Sequence, residues 1–420
     1  MPLPIARIAP VTRPLRGRVT LPGSKSVTNR ALLVAGLARG PSRLTGILRS
    51  DDTHYMMAAL RAMGVEISEI DATTVEVTGT GTLHPADEPL FLGNAGTATR
   101  FLTAAVALVK GTTVVTGDAH MQKRPIAPLL ETLQAMGVEA VSESGCPPVT
   151  VHGTGAFSAG GIEVSGKLSS QYISAIMMLA AMGETETRIS IGGGQIGAIG
   201  YLHITAAVMR AFGAKVAFPS DREIVIAPGG YSAADYHVEP DASAATYLWA
   251  AEKLTAGDID IGTAPEDMNQ PDAKAYDLIA AFPDMPPEIN GSQMQDAVPT
   301  LAVLAAFNRT PVRFTGIENL RVKECDRIAA VHAGLEQVRA GLATVEGDEL
   351  IVHADPALEA HVSDALIDSH ADHRIAMSFA LAAMKVQGVR IEDPYCVSKT
   401  FPNYWDVLRG LGVEVEISEG

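Results

Sequence analysis

Leu60-Arg-Ala-Met-Gly-Val-Glu-Ile67 returns as Leu133-Gln-Ala-Met-Gly-Val-Glu-Ala140, as Met209-Arg-Ala-Phe-Gly-Ala-Lys-Val216 and as Leu408-Arg-Gly-Leu-Gly-Val-Glu-Val415. Each copy reads as the end of a helix, a glycine stop and the start of a strand. The glycine supplies a left-handed backbone that a residue with a Cβ resists, and the alternating residues after it have strand period. Gly64, Gly137 and Gly213 are spaced 73 and 76 residues apart, and a weaker copy at Leu335–Gly341 precedes Gly412 by 71. The interval between Gly213 and Gly341 leaves room for one degenerate copy near Tyr276–Phe282. Helix–glycine–strand junctions occur in any α/β protein, but four good copies at near-constant spacing indicate true repetition. The period is too long for an ordinary solenoid, so six units of one helix-and-strand module are expected to pack into globular lobes of an α/β fold.

At 420 residues the chain exceeds the usual span of one hydrophobic core, and two domains are the default. Tyr236–Pro240 is an extended, proline-bearing stretch before a new helix start at Asp241-Ala-Ser, and a second boundary falls at Pro22-Gly23. The expected lobes are therefore 1–22 with 240–420, and 23–239, with an active-site cleft between them.

The chain is acidic, with a formal charge of −16 from 32 Lys+Arg and 48 Asp+Glu, which argues against a nucleic-acid surface. The three cysteines, Cys146, Cys325 and Cys396, have no paired CxxC spacing, so neither a disulfide framework nor a zinc site is expected and a reducing cytoplasm is the simplest setting. Prolines and Arg7 interrupt the N-terminal stretch, which lacks the apolar core of a secretory signal. The apolar runs Phe101–Val109, Ile173–Met182 and Ile375–Met384 are too short to span a bilayer and read as helices buried on most faces.

Against this acidic background, eight cations stand in short special segments: Lys25, Arg30, Arg100, Arg124, Lys323, Arg327, Arg374 and Lys399. Such a gathering suggests small anionic substrates. Gly23-Ser-Lys-Ser26 precedes the apolar run Ala31–Leu37 and outlines an anion site, although Ser and Thr at a helix start also serve as plain caps. It lacks the spacing of a nucleotide P-loop. Gly93-Asn-Ala-Gly-Thr-Ala-Thr-Arg100 repeats the design before Phe101–Val109, where Arg100 serves either a ligand or an internal carboxylate. Ser169-Ser-Gln171 makes a third such start. In the second half, Asp241-Ala-Ser243, Gln295-Asp-Ala297, Lys323-Glu-Cys-Asp-Arg327 and Asp372-His-Arg374 mix acids and bases. On a helix, Lys323 and Arg327 would share a face beside Glu324; a solvated run of surface ion pairs is the plainer reading.

Taken together, Gly23-Ser-Lys-Ser-Val-Thr-Asn-Arg30, Leu92-Gly-Asn-Ala-Gly-Thr-Ala-Thr-Arg100, Arg124-Pro-Ile126, Ser169-Ser-Gln171, Asp241-Ala-Ser243, Arg321-Val-Lys-Glu-Cys-Asp-Arg327, Asp372-His-Arg374 and Lys399-Thr-Phe-Pro402 resemble the 5-enolpyruvylshikimate-3-phosphate synthase family of enolpyruvyl transferases. The resemblance implies a two-lobed, inside-out α/β fold, each lobe three copies of a βαβαββ unit. It also implies transfer of the enolpyruvyl group of phosphoenolpyruvate to the 5-hydroxyl of shikimate 3-phosphate, with release of phosphate and with no cofactor and no metal; a cytoplasmic monomer is expected.

By the same resemblance Lys25, Gly96, Arg124, Gln171, Arg327, Arg374 and Lys399 bind phosphoenolpyruvate. Ser26, Arg30, Ser169, Ser170, Gln171, Tyr201, Asp296, Asn319 and Lys323 bind shikimate 3-phosphate. Lys25, Asp296 and Glu324 are the implied catalytic residues, with Asp296 at the acceptor hydroxyl and Lys25 and Glu324 at proton transfer to the enol carbon. One departure stands out: the family usually shows Ser-x-Pro-Tyr before the helix near Tyr201, whereas this chain reads Ala198-Ile-Gly-Tyr201 after the loop Gly192-Gly-Gly-Gln-Ile-Gly197. A serine donor to the acceptor phosphate is thereby missing. This motivates an alternative, a divergent carboxyvinyltransferase acting on another cyclic alcohol. A non-catalytic ligand-binding homologue is a further reading, opposed by the intact Lys25, Asp296, Glu324 and Lys399. The related transferase acting on UDP-N-acetylglucosamine fits poorly, since Gly117–Pro125 contains no cysteine.

Overall fold

The computed structural model describes residues 3–157, 159–165, 169–193 and 197–418. Gly194-Gln-Ile196 of the divergent loop, and residues 1–2 of the first expected lobe, lie outside the described residues. Packing divides the chain into two compact units, Gly23–Glu239, and Met1–Pro22 with Pro240–Gly420.

In the Gly23–Glu239 unit one sheet plan occurs three times. Leu90–Phe91 runs parallel to Lys110–Thr116, which is antiparallel to Val149–Thr154, and Glu139–Val141 closes the sheet on the far side. The helices Gly96–Ala105 and Ala127–Ala135 connect these strands, giving a βαβαββ order. Gly161–Ser165, Thr187–Gly192, Glu223–Ile226 and Val216–Ser220 repeat the plan with helices Ser170–Ala180 and Gly200–Ala211. The remaining sheet holds Arg39–Thr45, Val75–Thr80 and Glu66–Glu69, with helices Lys25–Leu37 and Asp51–Ala62. Its outer strand, Tyr236–His237, comes from the other end of the unit.

The second unit has two complete sheets. Glu288–Asn290, Val312–Thr315, Glu349–Val352 and Ala343–Glu346 form one, with helices Val298–Ala305 and Arg327–Val338. Leu366–Asp368, Arg390–Glu392, Ile5–Ile8 and Val415–Ser418 form the other, with helices His373–Ala383 and Tyr404–Gly410. The degenerate copy near Tyr276–Phe282 reduces to the parallel pair Arg16–Arg18 and Asp258–Asp260 with helices Ala242–Thr255 and Ala275–Ala280. Residues 281–287 are too few to hold the final two strands and their turn before Glu288.

Gly64, Gly137, Gly213, Gly341 and Gly412 have φ between 81° and 89°, the left-handed stop that the repeated phrase indicates. Every residue of the helices Gly96–Ala105, Val298–Ala305 and His373–Ala383 is buried, so helices rather than sheets fill the centre of each unit. Gly96–Ala105 packs on Ser170–Ala180, and His373–Ala383 on Val298–Ala305. A helix that is apolar on all sides is stable only when surrounded, at roughly 1.5–3 kcal/mol for each large apolar side chain removed from water. Such central helices leave their N-termini, with the polar loops before them, to carry the chemistry.

Candidate active site

In the Gly23–Glu239 unit, helix starts carry one set of groups. Ser24 accepts from Val27 N–H, so the first helix begins at Lys25 and not at the apolar run from Ala31. Lys25 Nζ lies 3.5 Å from Asp52 Oδ2, and Asp52 stands in the first turn of Asp51–Ala62, where a Ser50–Thr53 capping box fixes the backbone. A carboxylate is favoured at a helix N-terminus, whereas the ammonium in the first turn of its own helix faces an unfavourable dipole. Asp52 offsets part of that cost.

Just over one turn further on, Arg30 is only 1% exposed. Its Nε donates to Thr205 Oγ1 at 2.7 Å, Nη1 to Ser26 O at 2.8 Å and Nη2 to Ser174 Oγ at 3.2 Å, and the guanidinium lies 5.0 and 5.7 Å from the ring centroids of Phe101 and Tyr201. All these partners are neutral. Burial therefore pulls Arg30 down to about 10, against the opposing effect of Tyr201 and Tyr236. A buried guanidinium bonded to neutral groups is costly, and an anion reaching it would recover much of that cost.

Gly96 opens its helix against Arg124. A Cβ at Gly96 would stand 2.7 Å from Arg124 Nη2, while Nη1 donates to Asn94 Oδ1 at 3.2 Å. Arg100 donates to Gly96 O and Pro125 O, both at 3.1 Å, and Tyr172 OH donates to Pro125 O at 2.6 Å. Arg100 thus braces the Gly93–Gly96 and Arg124–Pro125 segments against each other. Ser169 caps the helix from Ser170 by accepting from Gln171 N–H, and Gln171 Nε2 donates to Thr97 Oγ1 at 3.4 Å. Tyr201 is the second residue of Gly200–Ala211, and Ala198 before it is buried with φ +51°, a conformation a Cβ resists.

The second set lies in the other unit. Asp326 accepts from Ala329 N–H and starts its helix at Arg327, after the 3-10 turn Glu318–Val322. Lys323 therefore precedes the helix, and the expected shared helical face with Arg327 does not form. The plainer reading also fails for Arg327, which is 1% exposed and anything but solvated. Its Nε donates to Asp372 Oδ2 at 2.7 Å, Nη1 to Asp296 Oδ1 at 2.9 Å and Nη2 to Glu324 Oε2 at 2.6 Å. Arg374 Nη2 donates to the second oxygen of Asp296 at 2.7 Å, so this carboxylate bridges the two guanidiniums. Lys399 Nζ stands 3.9 Å from Glu324 Oε1. Asn319 is half-buried in the Glu318–Val322 turn and does not join this network.

Burial lowers both arginines, but the acids outweigh it: Asp372, Glu324 and Asp296 hold Arg327 above its ordinary value, and Asp296 leads the groups that do the same for Arg374. Three participants carried no functional assignment from the sequence. Asp372 caps His373–Ala383 through Arg374 N–H at 2.9 Å while pairing with Arg327, a double duty signalled only by its place before His-Arg. Tyr247 OH lies 3.5 Å from Arg374 Nη1, and burial raises it to about 12. Asp52, in the first turn of Asp51–Ala62, is the partner of Lys25.

Among the described residues no group of three or more His, Cys, Asp or Glu could hold a metal ion, the three cysteines are free, and no helix is long and apolar enough to cross a membrane. Buried guanidiniums interleaved with carboxylates are equipped to hold small polyanions and to move protons beside them.

The fold is shared with solved transferases. The enolpyruvyl transferase NikO from Streptomyces tendae superposes with a TM-score of 0.75 at 17% identity, covering 100% of both chains. An EPSP synthase from Acinetobacter baumannii gives 0.79 at 26%, covering 99% of this chain and 100% of that one. The architecture is thus that of the enolpyruvyl transferases.

Sequence comparison narrows this. Residues 10–408 match the family model of EPSP synthase (3-phosphoshikimate 1-carboxyvinyltransferase). The 3-phosphoshikimate 1-carboxyvinyltransferase of Rhizobium leguminosarum bv. trifolii is 63% identical over 406 residues, 97% of each chain, and that of Pseudomonas savastanoi pv. phaseolicola is 59% identical over 409 residues, 97% of this chain and 98% of that one. The chain belongs to the EPSP synthase family.

Proposed function

We propose that this protein transfers the enolpyruvyl group of phosphoenolpyruvate to the 5-hydroxyl of shikimate 3-phosphate and releases phosphate. The observation that carries the reading is the Arg327–Asp296–Arg374 bridge with Glu324 and Lys399 at its edge. Two fixed guanidiniums, a carboxylate able to accept a proton and a carboxylate–ammonium pair are what an addition–elimination on an anionic enol ester requires.

Arg124, Gly96, Lys25, Gln171, Arg327, Arg374 and Lys399 hold the carboxylate and phosphate of phosphoenolpyruvate. Ser26, Arg30, Ser169, Ser170, Gln171, Tyr201, Asn319 and Lys323 hold shikimate 3-phosphate, whose anionic groups offset the buried Arg30. Asp296 takes the proton of the acceptor hydroxyl as its oxygen bonds to the substituted enol carbon. Lys25 and Glu324 deliver a proton to the methylene carbon. The tetrahedral adduct then returns a proton from its methyl group as the carbon–oxygen bond to phosphate breaks, restoring the enol ether. Fixed cations stabilise the charge of this adduct without reorganising, which is the main electrostatic contribution. The protein acts as a cytoplasmic monomer on small molecules.

The assay is phosphate release from phosphoenolpyruvate and shikimate 3-phosphate by the purified protein. Turnover supports the assignment. Normal binding of phosphoenolpyruvate without turnover refutes it and favours another cyclic alcohol, the reading motivated by buried Ala198 where the family usually has serine. In that case Ala198→Ser leaves affinity for shikimate 3-phosphate unchanged; under the main reading it tightens that affinity.

A further inference from the structure

Two hydroxyls that hold Arg30 have no part in the proposed reaction. The bonds from its guanidinium end on Thr205 Oγ1, Ser174 Oγ and Ser26 O, all neutral acceptors. They use one N–H of each nitrogen, so each Nη keeps a second N–H, and that pair is a fork of the kind that matches a carboxylate. The Thr205 hydroxyl is the junction of this arrangement. It accepts from Arg30 Nε at 2.7 Å and lies 2.8 Å from both Ser174 Oγ and Tyr201 O, to which its own proton is donated. Thr205 and Ser174 are both fully buried, so a partner removed here leaves a donor unmatched rather than hydrated.

Three helices meet at this junction, and each brings the same spacing. Arg30 stands four residues after Ser26 on Lys25–Leu37, Ser174 four after Ser170 on Ser170–Ala180, and Thr205 four after Tyr201 on Gly200–Ala211. Residues four apart share a helix face one turn from each other. Ser26, Ser170 and Tyr201 are the acceptor residues at the starts of these helices, so the buried bonds lie one turn behind them and tie the three starts together. The kind of acceptor matters as well. Arg327 and Arg374 bond to carboxylates, where an incoming anion competes with fixed negative charge. Hydroxyls fix Arg30 without neutralising it.

We propose that Thr205 and Ser174 are positioning residues for the acceptor: their hydroxyls aim the Arg30 guanidinium and hold the three helix starts in register, while leaving its charge for an anionic group of the acceptor. This rests on the reading in which Ser26, Arg30, Ser170 and Tyr201 hold shikimate 3-phosphate. The two hydroxyls act through Arg30, on binding and not on the chemical step.

The test is Thr205→Val, which keeps the shape of the side chain and removes its hydroxyl, with Thr205→Ser as the variant that restores it. Steady-state kinetics with each substrate varied in turn is paired with calorimetric titration of shikimate 3-phosphate alone. Thr205→Val should raise KM and Kd for shikimate 3-phosphate about tenfold or more, with KM for phosphoenolpyruvate and kcat within about twofold of wild type. Thr205→Ser should bring both acceptor constants back to within about threefold of wild type. Should Thr205→Val fail to fold, Ser174→Ala removes the longer bond, at 3.2 Å, and should raise the acceptor constants several-fold with the donor KM unmoved. Unchanged acceptor constants in a folded variant, an equal rise for both substrates, or no recovery in Thr205→Ser overturns the inference. A wild-type protein that neither binds nor turns over shikimate 3-phosphate would sink the functional reading itself, whereas wild-type turnover with unmoved variants sinks only the role of the two hydroxyls.

Discussion

Gly96→Ala isolates the contact between a helix start and a guanidinium. The added Cβ would lie 2.7, 2.8 and 2.9 Å from Nη2, Nη1 and Cζ of Arg124, about 0.7 Å short of ordinary contact at the nearest atom. Gly96 cannot retreat, because its carbonyl accepts from Arg100 and its helix is buried along its whole length. The long Arg124 side chain is what gives way, and its 3.2 Å bond to Asn94 goes with it. A hydrogen bond involving a charged group is worth roughly 1.5–3 kcal/mol, so misplacing one contact of Arg124 with the donor raises KM for phosphoenolpyruvate about tenfold to a hundredfold. Steady-state kinetics with each substrate varied in turn is the assay, alongside a thermal unfolding scan. KM for shikimate 3-phosphate and the melting temperature should stay near wild type, because no backbone moves. A donor KM within twofold of wild type would show that Arg124 does not hold the donor; a melting temperature lowered by many degrees would show that the backbone, not Arg124, absorbed the clash.

Three further substitutions probe other links. Ala256 ends the Ala242–Thr255 helix exposed and left-handed at φ +48°, so Ala256→Gly should raise stability by about 0.5–1 kcal/mol in urea unfolding; a loss would contradict that backbone geometry. Asp372→Ala removes both a helix cap and the buried partner of Arg327, and should cost about 3–5 kcal/mol, with a cost below 1 kcal/mol refuting the burial of that pair. Glu324→Gln keeps the shape beside Arg327 and Lys399 but cannot carry the transferred proton, so kcat should fall about 10²–10⁴-fold with KM values changed little; a wild-type kcat would remove Glu324 from proton transfer.

What the sequence disclosed was local. The stop at Gly64 and its copies is legible because one residue and its φ decide it, and the buried helices are legible because a run such as Ile375–Met384 is apolar on every face. Pairing across the chain is not legible in this way. Nothing in Ile5–Ile8 announces Arg390–Glu392 and Val415–Ser418 as its neighbours, and nothing in Tyr236–His237 announces Arg39–Thr45. The site divides similarly. Lys25 and Arg374 stood out because small residues or caps flank them, whereas Tyr247 meets Arg374 only through packing. Lys323 and Arg327 misled because helical spacing was read through Asp326, whose side chain is itself the cap that begins the helix.

The sheet containing Ile5–Ile8 has a consequence for synthesis. That strand lies between Arg390–Glu392 and Val415–Ser418, so the second unit joins a strand made before the Gly23–Glu239 unit to strands made after it. Gly23–Glu239 draws all its strands from one continuous stretch and can finish its three sheets while the ribosome is still extending the chain, at about 5–20 residues per second. The discontinuous unit must hold its first strand in reserve until Arg390–Glu392 and Val415–Ser418 have been made, so Arg327, Arg374 and Lys399 are assembled after Arg30 and Arg124. Interrupted synthesis would then release molecules with a finished Arg30 and Arg124 and no functional counterpart.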